Sequence, residues 1–198
     1  MPPPADQALL AALAALALAL RDLGTPAMII GGIAVIVRGV PRQTGDVDVA
    51  VWAEDLDVER LAAALARHAI VPRIKDAVEF ARQNQVLLLR HDPSGTPIEV
   101  SLAWLPFERE ALARATPEDL GGGELLVAAP EDLVVYKAVA WRDRDRADIE
   151  RLLVLHGHRM DLGRVRALVL EFAELLGVPE RAREFDAMVS RAVPGSGL

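Results

Sequence analysis

Between Ala27 and Val51 the order of residue types leaves few folds open. Ala27-Met28-Ile29-Ile30 is an uninterrupted apolar run, Gly31-Gly32 closes it, and a short, mainly apolar segment runs from Ile33 to Val40. After Pro41-Arg42-Gln43-Thr44 comes Gly45-Asp46-Val47-Asp48-Val49-Ala50-Val51. Side chains of a strand alternate faces, so Asp46 and Asp48 point one way while Val47, Val49 and Val51 point into a core. The pattern predicts a short buried strand, a tight glycine turn into a helix over 33–39, and a second strand that Trp52 ends.

Two carboxylates side by side on one strand repel each other and are comfortable as anions only with a cation between them. Hard oxygen donors of this kind suit Mg²⁺ or Mn²⁺. Glycines at 31 and 32 let backbone N–H groups approach a ligand closely, and a helix N-terminus favours anions. They serve equally well as a plain strand-to-helix turn. Arg42 and Thr44 come just before the acids. A guanidinium there can bind a phosphate or pair with a surface acid.

With 198 residues, 52% of them hydrophobic, the chain can build one core domain with a helical appendage. The absence of cysteine excludes disulfides, Cys-ligated zinc and thiol catalysis. Acids outnumber Lys plus Arg by 29 to 22, which argues against a general nucleic-acid coat. Met1–Pro4 reads as a disordered start and Pro194–Leu198 as a loose tail. Asp6 fits an N-cap for a helix over 7–23, stopped by Gly24 and Pro26. Its apolar run, Ala8 to Leu20, is too short to span a bilayer with ease and lacks the positive start of a signal peptide. The expectation is a buried core helix in a cytoplasmic protein with no membrane partner.

Asp57 fits the cap of a helix over 58–68 with Leu61, Ala64, Leu65 and His68 along one side; a strand over 70–74 and a short helix near 75–83 follow. Segments 86–90 and 96–103 form a hairpin. In its second strand Ile98, Val100 and Leu102 share one face, and Glu99 and Ser101 the other. A lone Glu there is either an acid on a solvent face or part of a site. Leu105-Pro106-Phe107-Glu108 opens a helix to Ala115, Gly121–Gly123 is a loop, and a last strand over 125–128 precedes a helical remainder.

Pro130 fits the first position of a helix whose first turn holds Glu131 and Asp132. From Leu133 to Trp141 Lys137 is the one charged residue. A helix apolar almost all round is buried. Its ammonium must therefore snorkel to water or meet an anion, either a substrate phosphate or a carboxylate of the site. On the phosphate reading, Lys137→Met leaves folding intact. In Arg142-Asp143-Arg144-Asp145-Arg146-Ala147-Asp148-Ile149, Asp145 reads as the N-cap of a helix over 146–156 with Asp148 at its third position. Two more helices follow, from Asp161 to Leu176 with a stripe of Leu168, Phe172, Leu175 and Leu176, and from Pro179 to Ala192. His68, His156 and His158 read as surface residues. Arg142, Arg144, Arg146, Arg151, Arg159, Arg164 and Arg166 concentrate positive charge in one segment.

Ile30-Gly31-Gly32, a spacer of thirteen residues, then Asp46-Val47-Asp48-Val49 resembles the signature of the nucleotidyltransferase superfamily with a DNA-polymerase-β-like core. Joined to Glu99, Pro130-Glu131-Asp132-Leu133, Lys137, Arg142, Asp145 and Asp148-Ile149, the pattern resembles the AbiEii-type toxin family of nucleotidyltransferases over about 24–153. The resemblance implies an α/β (α+β) fold: a polymerase-β-like core with a mixed sheet over 1–128 and a C-terminal helical lobe over 129–198 that closes on the nucleotide. It implies transfer of a nucleoside monophosphate from a nucleoside triphosphate to an acceptor. Asp46, Asp48 and Glu99 would be the catalytic acids and the ligands of Mg²⁺ or Mn²⁺. Gly31, Gly32, Arg42, Thr44, Lys137 and Arg144 would bind nucleotide, with Arg142, Asp145 and Asp148 in support. The family's acceptors are RNA or tRNA ends, proteins or small molecules, and a toxin role implies a cognate antitoxin. An antibiotic-type small-molecule nucleotidyltransferase and a catalytically silent nucleotide-binding protein of the same fold are the alternatives. Trp141 stands where small residues are commoner in the family.

Overall fold

The computed structural model describes residues 5–54 and 56–195. The Pro-rich start Met1–Pro4 and the last three residues of the tail lie outside the described residues. Two compact units are present: Met1–Ile33 with Gln43–Ala128, and Ala34–Arg42 with Ala129–Leu198.

The first unit is built on a mixed sheet. Ala27–Ile30 (β1) is buried throughout, as its apolar run requires, and pairs antiparallel with Val47–Trp52 (β2), Ile30 standing opposite Asp48. On its other side β2 runs parallel to the strand Pro97–Ala103 (β5), where Asp48 stands opposite Glu99. The strands Ile70–Pro72 (β3) and Val86–His91 (β4) extend the sheet beyond β5. Thr116–Asp119 (β6) and Glu124–Val127 (β7) extend it beyond β1, giving the order β3-β4-β5-β2-β1-β7-β6. β6 escapes sequence reading because Thr-Pro-Glu-Asp has no apolar alternation; it is an edge strand, mostly exposed.

Helix Ala5–Leu23 (α1) packs against β2 and against Val58–Ala66 (α3). Asp6 lies inside α1 as a first-turn acid rather than capping it. The helix is buried along Ala12, Leu13, Leu16, Ala17, Ala19 and Leu20, whereas Leu10 and Leu18 are exposed. The expected core helix is buried on one side, because a helix laid over a sheet covers only one of its own faces. Asp57 caps α3 as expected, accepting from the amides of Glu59 and Arg60. Ala77–Asn84 (α4) and Pro106–Arg114 (α5) complete the unit. Glu108 turns back to accept the amides of Trp104 and Leu105, which holds the entry to α5. His68 is paired, its Nε2 lying 2.8 Å from Asp22 Oδ2.

The chain leaves this unit within the helix Gly31–Val37 (α2) and returns at Gln43. Both glycines are the first turn of α2, two residues earlier than the spacing predicts. The second unit is helical: Pro130–Ala140 (α6), Asp143–His156 (α7), Leu162–Leu175 (α8) and Glu180–Ala192 (α9). α6 packs on α7 and α8, and α9 on α7 and α8. The buried stripe of α8 is Leu162, Val165, Val169 and Ala173; Leu175 is 73% exposed and Leu176 is also exposed, against expectation. Both stripes have helical spacing, and the smaller side chains are the ones turned inward, which suits close approach of α6 and α9. His156 is half-buried and bonds the Arg38 carbonyl at 2.7 Å, so it is not a surface residue; His158 is exposed as expected.

The 121–123 loop lies against α1. A Cβ at Gly122 would sit 2.5 Å from Ala14 Cβ and 2.7 Å from Ala14 Cα, closer than packed atoms tolerate. Gly122→Ala should therefore lower stability by about 1–3 kcal/mol, the usual cost of overpacking. Urea unfolding reads this as a lower midpoint at unchanged slope; an unchanged midpoint would mean that the loop is free to move off the helix.

Candidate active site

Gly31 has φ +63°, and a Cβ there would fall 1.8 Å from Asp48 Oδ2. No side chain can coexist with that carboxylate, so the strand-to-helix turn and the acid are fitted to each other. The Gly32 amide donates to the same oxygen over a long 3.4 Å. Asp48 is the second residue of β2 and Glu99 the third of β5. Directly opposed residues of neighbouring strands project to one face, so these carboxylates stand beside each other near the N-terminal ends of parallel strands. Asp46 lies just before β2 and takes the Thr44 hydroxyl at 2.5 Å. Glu99 is engaged by the Arg73 guanidinium.

Asp46 and Asp48 are half-buried, and Glu99 keeps about a third of its side chain in solvent. Ligand-like oxygens with water access are what a hard divalent cation needs. In chemistry and strand position the donors fit Mg²⁺ or Mn²⁺. Among the described residues, however, no three acidic or imidazole side chains stand close enough together to enclose an ion. Glu99 lies beside Asp48 in register yet is held by Arg73.

The second unit treats its acids differently. Lys137 is 6% exposed, and its Nζ lies 3.0 Å from Asp145 Oδ1 and 3.1 Å from Asp148 Oδ2. Arg42 Nη1 reaches Asp148 at 2.6 Å, and Arg142 Nε reaches Asp145 at 2.6 Å. Asp145 is not the N-cap of α7; that position belongs to Arg142, whose amide Asp145 accepts at 3.1 Å from the third helical position. Trp141, in the left-handed conformation at φ 55°, ends α6 and turns the chain so that the start of α7 comes back against Lys137. Its ring lies against Arg181. Burial, the largest influence on Asp145, opposes its ionisation, but hydrogen bonds from Arg142 and Lys137 and the charges of both together outweigh burial and hold its carboxyl below the usual carboxylate range. Arg144 is exposed and makes no ion pair among the described residues.

The sequence offered no sign of two further features. Asp132 is wholly buried and paired with Arg164 at 3.1 Å, although its place in a first turn suggested only a helix-dipole role. Arg73 lies three residues from Ile70 in an unremarkable stretch, and only the pairing of β3 with β4 and β4 with β5 brings it to Glu99.

Residues 8–192 match the family model described as a nucleotidyltransferase of unknown function (DUF6036), and the chain belongs to this family. No curated protein matches its sequence. Among solved structures it is similar to the antibiotic-resistance factor ANT(2'')-Ia in solution, with TM-score 0.58 and 17% identity over 90% of this chain and 98% of that one. The crystal structure of ANT(2'')-Ia in complex with adenylyl-2''-tobramycin gives 0.51 and 16% over 80% and 92%. An antigenic nucleotidyltransferase-like protein from Paracoccidioides brasiliensis gives 0.51 and 18% over 93% and 96%. At such identities these likenesses establish the fold. They agree with the α/β core expected from the sequence, and family membership makes the chain a nucleotidyltransferase.

The ion cluster revises the expectation for Lys137. Its partners are two carboxylates that are 0% and 2% exposed. Removing one member of a buried ion pair leaves charge uncompensated and costs about 3–5 kcal/mol. Lys137→Met should therefore fall toward the lower end of that range, because Arg42 and Arg142 remain, rather than leave folding intact. The same pairing sets the acid limit. Asp145 has a lowered folded-state pKa, so its contribution is complete above the unfolded value of about 3.9 and is lost as pH falls through the folded one. Thermal melts of wild type and Asp145→Asn should differ most near neutrality and converge below about pH 4. A gap independent of pH would contradict the assignment.

Proposed function

Given a nucleotidyltransferase, we propose that Asp46, Asp48 and Glu99 are its catalytic acids and that it transfers a nucleoside monophosphate from a triphosphate to an acceptor hydroxyl, with release of pyrophosphate. The observation that carries this reading is the register of Asp48 with Glu99, on the strand edge that the glycine turn leaves open to Asp48. Asp46, Asp48 and, once released by Arg73, Glu99 would hold Mg²⁺ or Mn²⁺. The bound ion supplies Lewis-acid polarisation of the α-phosphate and neutralises the leaving pyrophosphate.

The chain's own residues have the remaining work. Thr44 orients Asp46 through its hydroxyl. Gly31 and Gly32 keep the turn bare, so that a triphosphate can approach the backbone. Glu99 would accept the proton of the acceptor hydroxyl. The proposed contribution of the second unit is positive charge for the triphosphate, from Arg42, Lys137 and Arg144, with Arg142, Asp145 and Asp148 holding Arg42 and Lys137 in place. Positioning and charge stabilisation of this kind account for most of the catalysis in phosphoryl-type transfers.

The acceptor has two readings. The Pro130-Glu131-Asp132-Leu133, Lys137, Arg142 and Asp145-Arg146-Ala147-Asp148-Ile149 pattern supports an AbiEii-type toxin acting in the cytoplasm on a tRNA or other RNA end or on a protein, with a cognate antitoxin. A specific observation favours the second reading, a small polar alcohol. Arg142, Arg146, Arg164 and Arg166 of the basic segment are each committed to an acid, so the segment offers RNA fewer cations than its composition suggests.

Incubation with each α-labelled nucleoside triphosphate and Mg²⁺, separately with total RNA, with lysate protein and with a panel of aminocyclitol alcohols, tests both. Label should pass to one acceptor class, and Asp46→Asn/Asp48→Asn should lower the rate at least a hundredfold, on the order of what loss of a principal charge-stabilising group costs. Transfer that survives the double substitution would place the chemistry elsewhere; RNA labelling would decide for the toxin reading, and alcohol labelling against it.

A further inference from the structure

Glu99 has two neighbours with opposite demands on it. Across the sheet, Leu88 of β4, Glu99 of β5 and Asp48 of β2 stand in one row. On the outer side, the Arg73 amide donates to the Leu88 carbonyl at 3.1 Å, and the Arg73 side chain crosses β4 to the Glu99 carboxylate. On the inner side lies Asp48, a second carboxylate. Two adjacent carboxylates repel, and the positive charge of Arg73 beside Glu99 offsets that repulsion. A divalent cation held at Asp46 and Asp48 would draw the same carboxylate inward. One carboxylate cannot fully serve both cations.

We propose that Arg73 is the exchangeable counter-ion of Glu99, a positioning residue that holds the third acid away from the metal until the ion and its nucleotide displace it. This rests on the assignment of Asp46, Asp48 and Glu99 above. The strength of the contact suits exchange. The side chains of Arg73 and Glu99 are 32% and 38% exposed, so water screens the pair and a competing divalent cation can replace it. The buried cluster at Lys137 shows the contrast: its acids are sealed from solvent, so water does not screen their pairing.

The test is Mn²⁺ binding without turnover, read from the paramagnetic resonance of free Mn²⁺, alone and with a non-hydrolysable triphosphate. The proteins are wild type, Arg73→Gln, Arg73→Lys, Glu99→Gln, the Arg73→Gln/Glu99→Gln double variant and Asp46→Asn/Asp48→Asn. Arg73→Gln should bind Mn²⁺ about two- to fivefold more tightly than wild type, the range set by a half-exposed ion pair. Arg73→Lys should stay near wild type because it keeps the charge, and the gain should vanish when Glu99 is also replaced. Melting curves confirm that each variant is folded. Mn²⁺ binding that depends on Asp46 and Asp48 but is unchanged or weaker in Arg73→Gln overturns the proposal alone, as does a gain that persists without Glu99. Mn²⁺ binding indifferent to Asp46→Asn/Asp48→Asn overturns the metal assignment, and the proposal with it.

Discussion

Asp48 can lie where it does only because position 31 has no side chain. Its carboxylate fills the space that a Cβ there would occupy. Gly31 takes the left-handed backbone conformation that turns β1 into α2, which glycine adopts without steric cost. The same β1–β2 pairing that sets Ile30 opposite Asp48 sets the turn beside the acid. On the other flank of β2, the parallel register brings Glu99 level with Asp48. A slip of one residue in either pairing would send an acid into the core and a valine out. Val47, Val49, Ile98 and Val100, all buried, oppose such a slip.

The two units stabilise their acids by different physics. In the sheet unit Asp46, Asp48 and Glu99 are partly solvated; Thr44 bonds Asp46, the Gly32 amide reaches Asp48 over a long distance and Arg73 pairs with Glu99. In the helical unit Asp145 and Asp148 are sealed from water, and each takes two cations. Charges buried that deeply persist only when paired and hydrogen-bonded. The contrast separates acids that water still reaches from acids that fix the geometry of Lys137 and Arg42.

What the sequence makes legible follows what is local. The β1 run, the Asp57 cap, the hairpin face bearing Glu99 and Pro130 at the start of α6 all rest on short-range pattern, and the structure shows each of them; the second strand is shown from Val47, so that of the two acids expected on it only Asp48 lies within it. Contacts distant in sequence were harder. The Arg73–Glu99 pair depends on two successive strand registers. The Asp132–Arg164 pair joins residues 32 apart through helix packing. The phase of the α8 stripe is not legible locally, because two apolar faces of equal spacing compete and only the neighbouring helices decide between them. The sequence suggests a cap at Asp145 because a local role is the simplest one for an acid near a helix start; its burial against Lys137 requires the turn at Trp141.

The central claim is that the carboxylates at the start of β2 hold the metal of a nucleotidyl transfer. A crystal grown with Mn²⁺ and a non-hydrolysable nucleoside triphosphate tests it most directly, through anomalous scattering at the manganese edge. The expected result is an anomalous peak at coordination distance, about 2 Å, from Asp46 and Asp48 oxygens, with Glu99 turned from Arg73 toward it. Manganese and triphosphate bound without contact to either aspartate would contradict it.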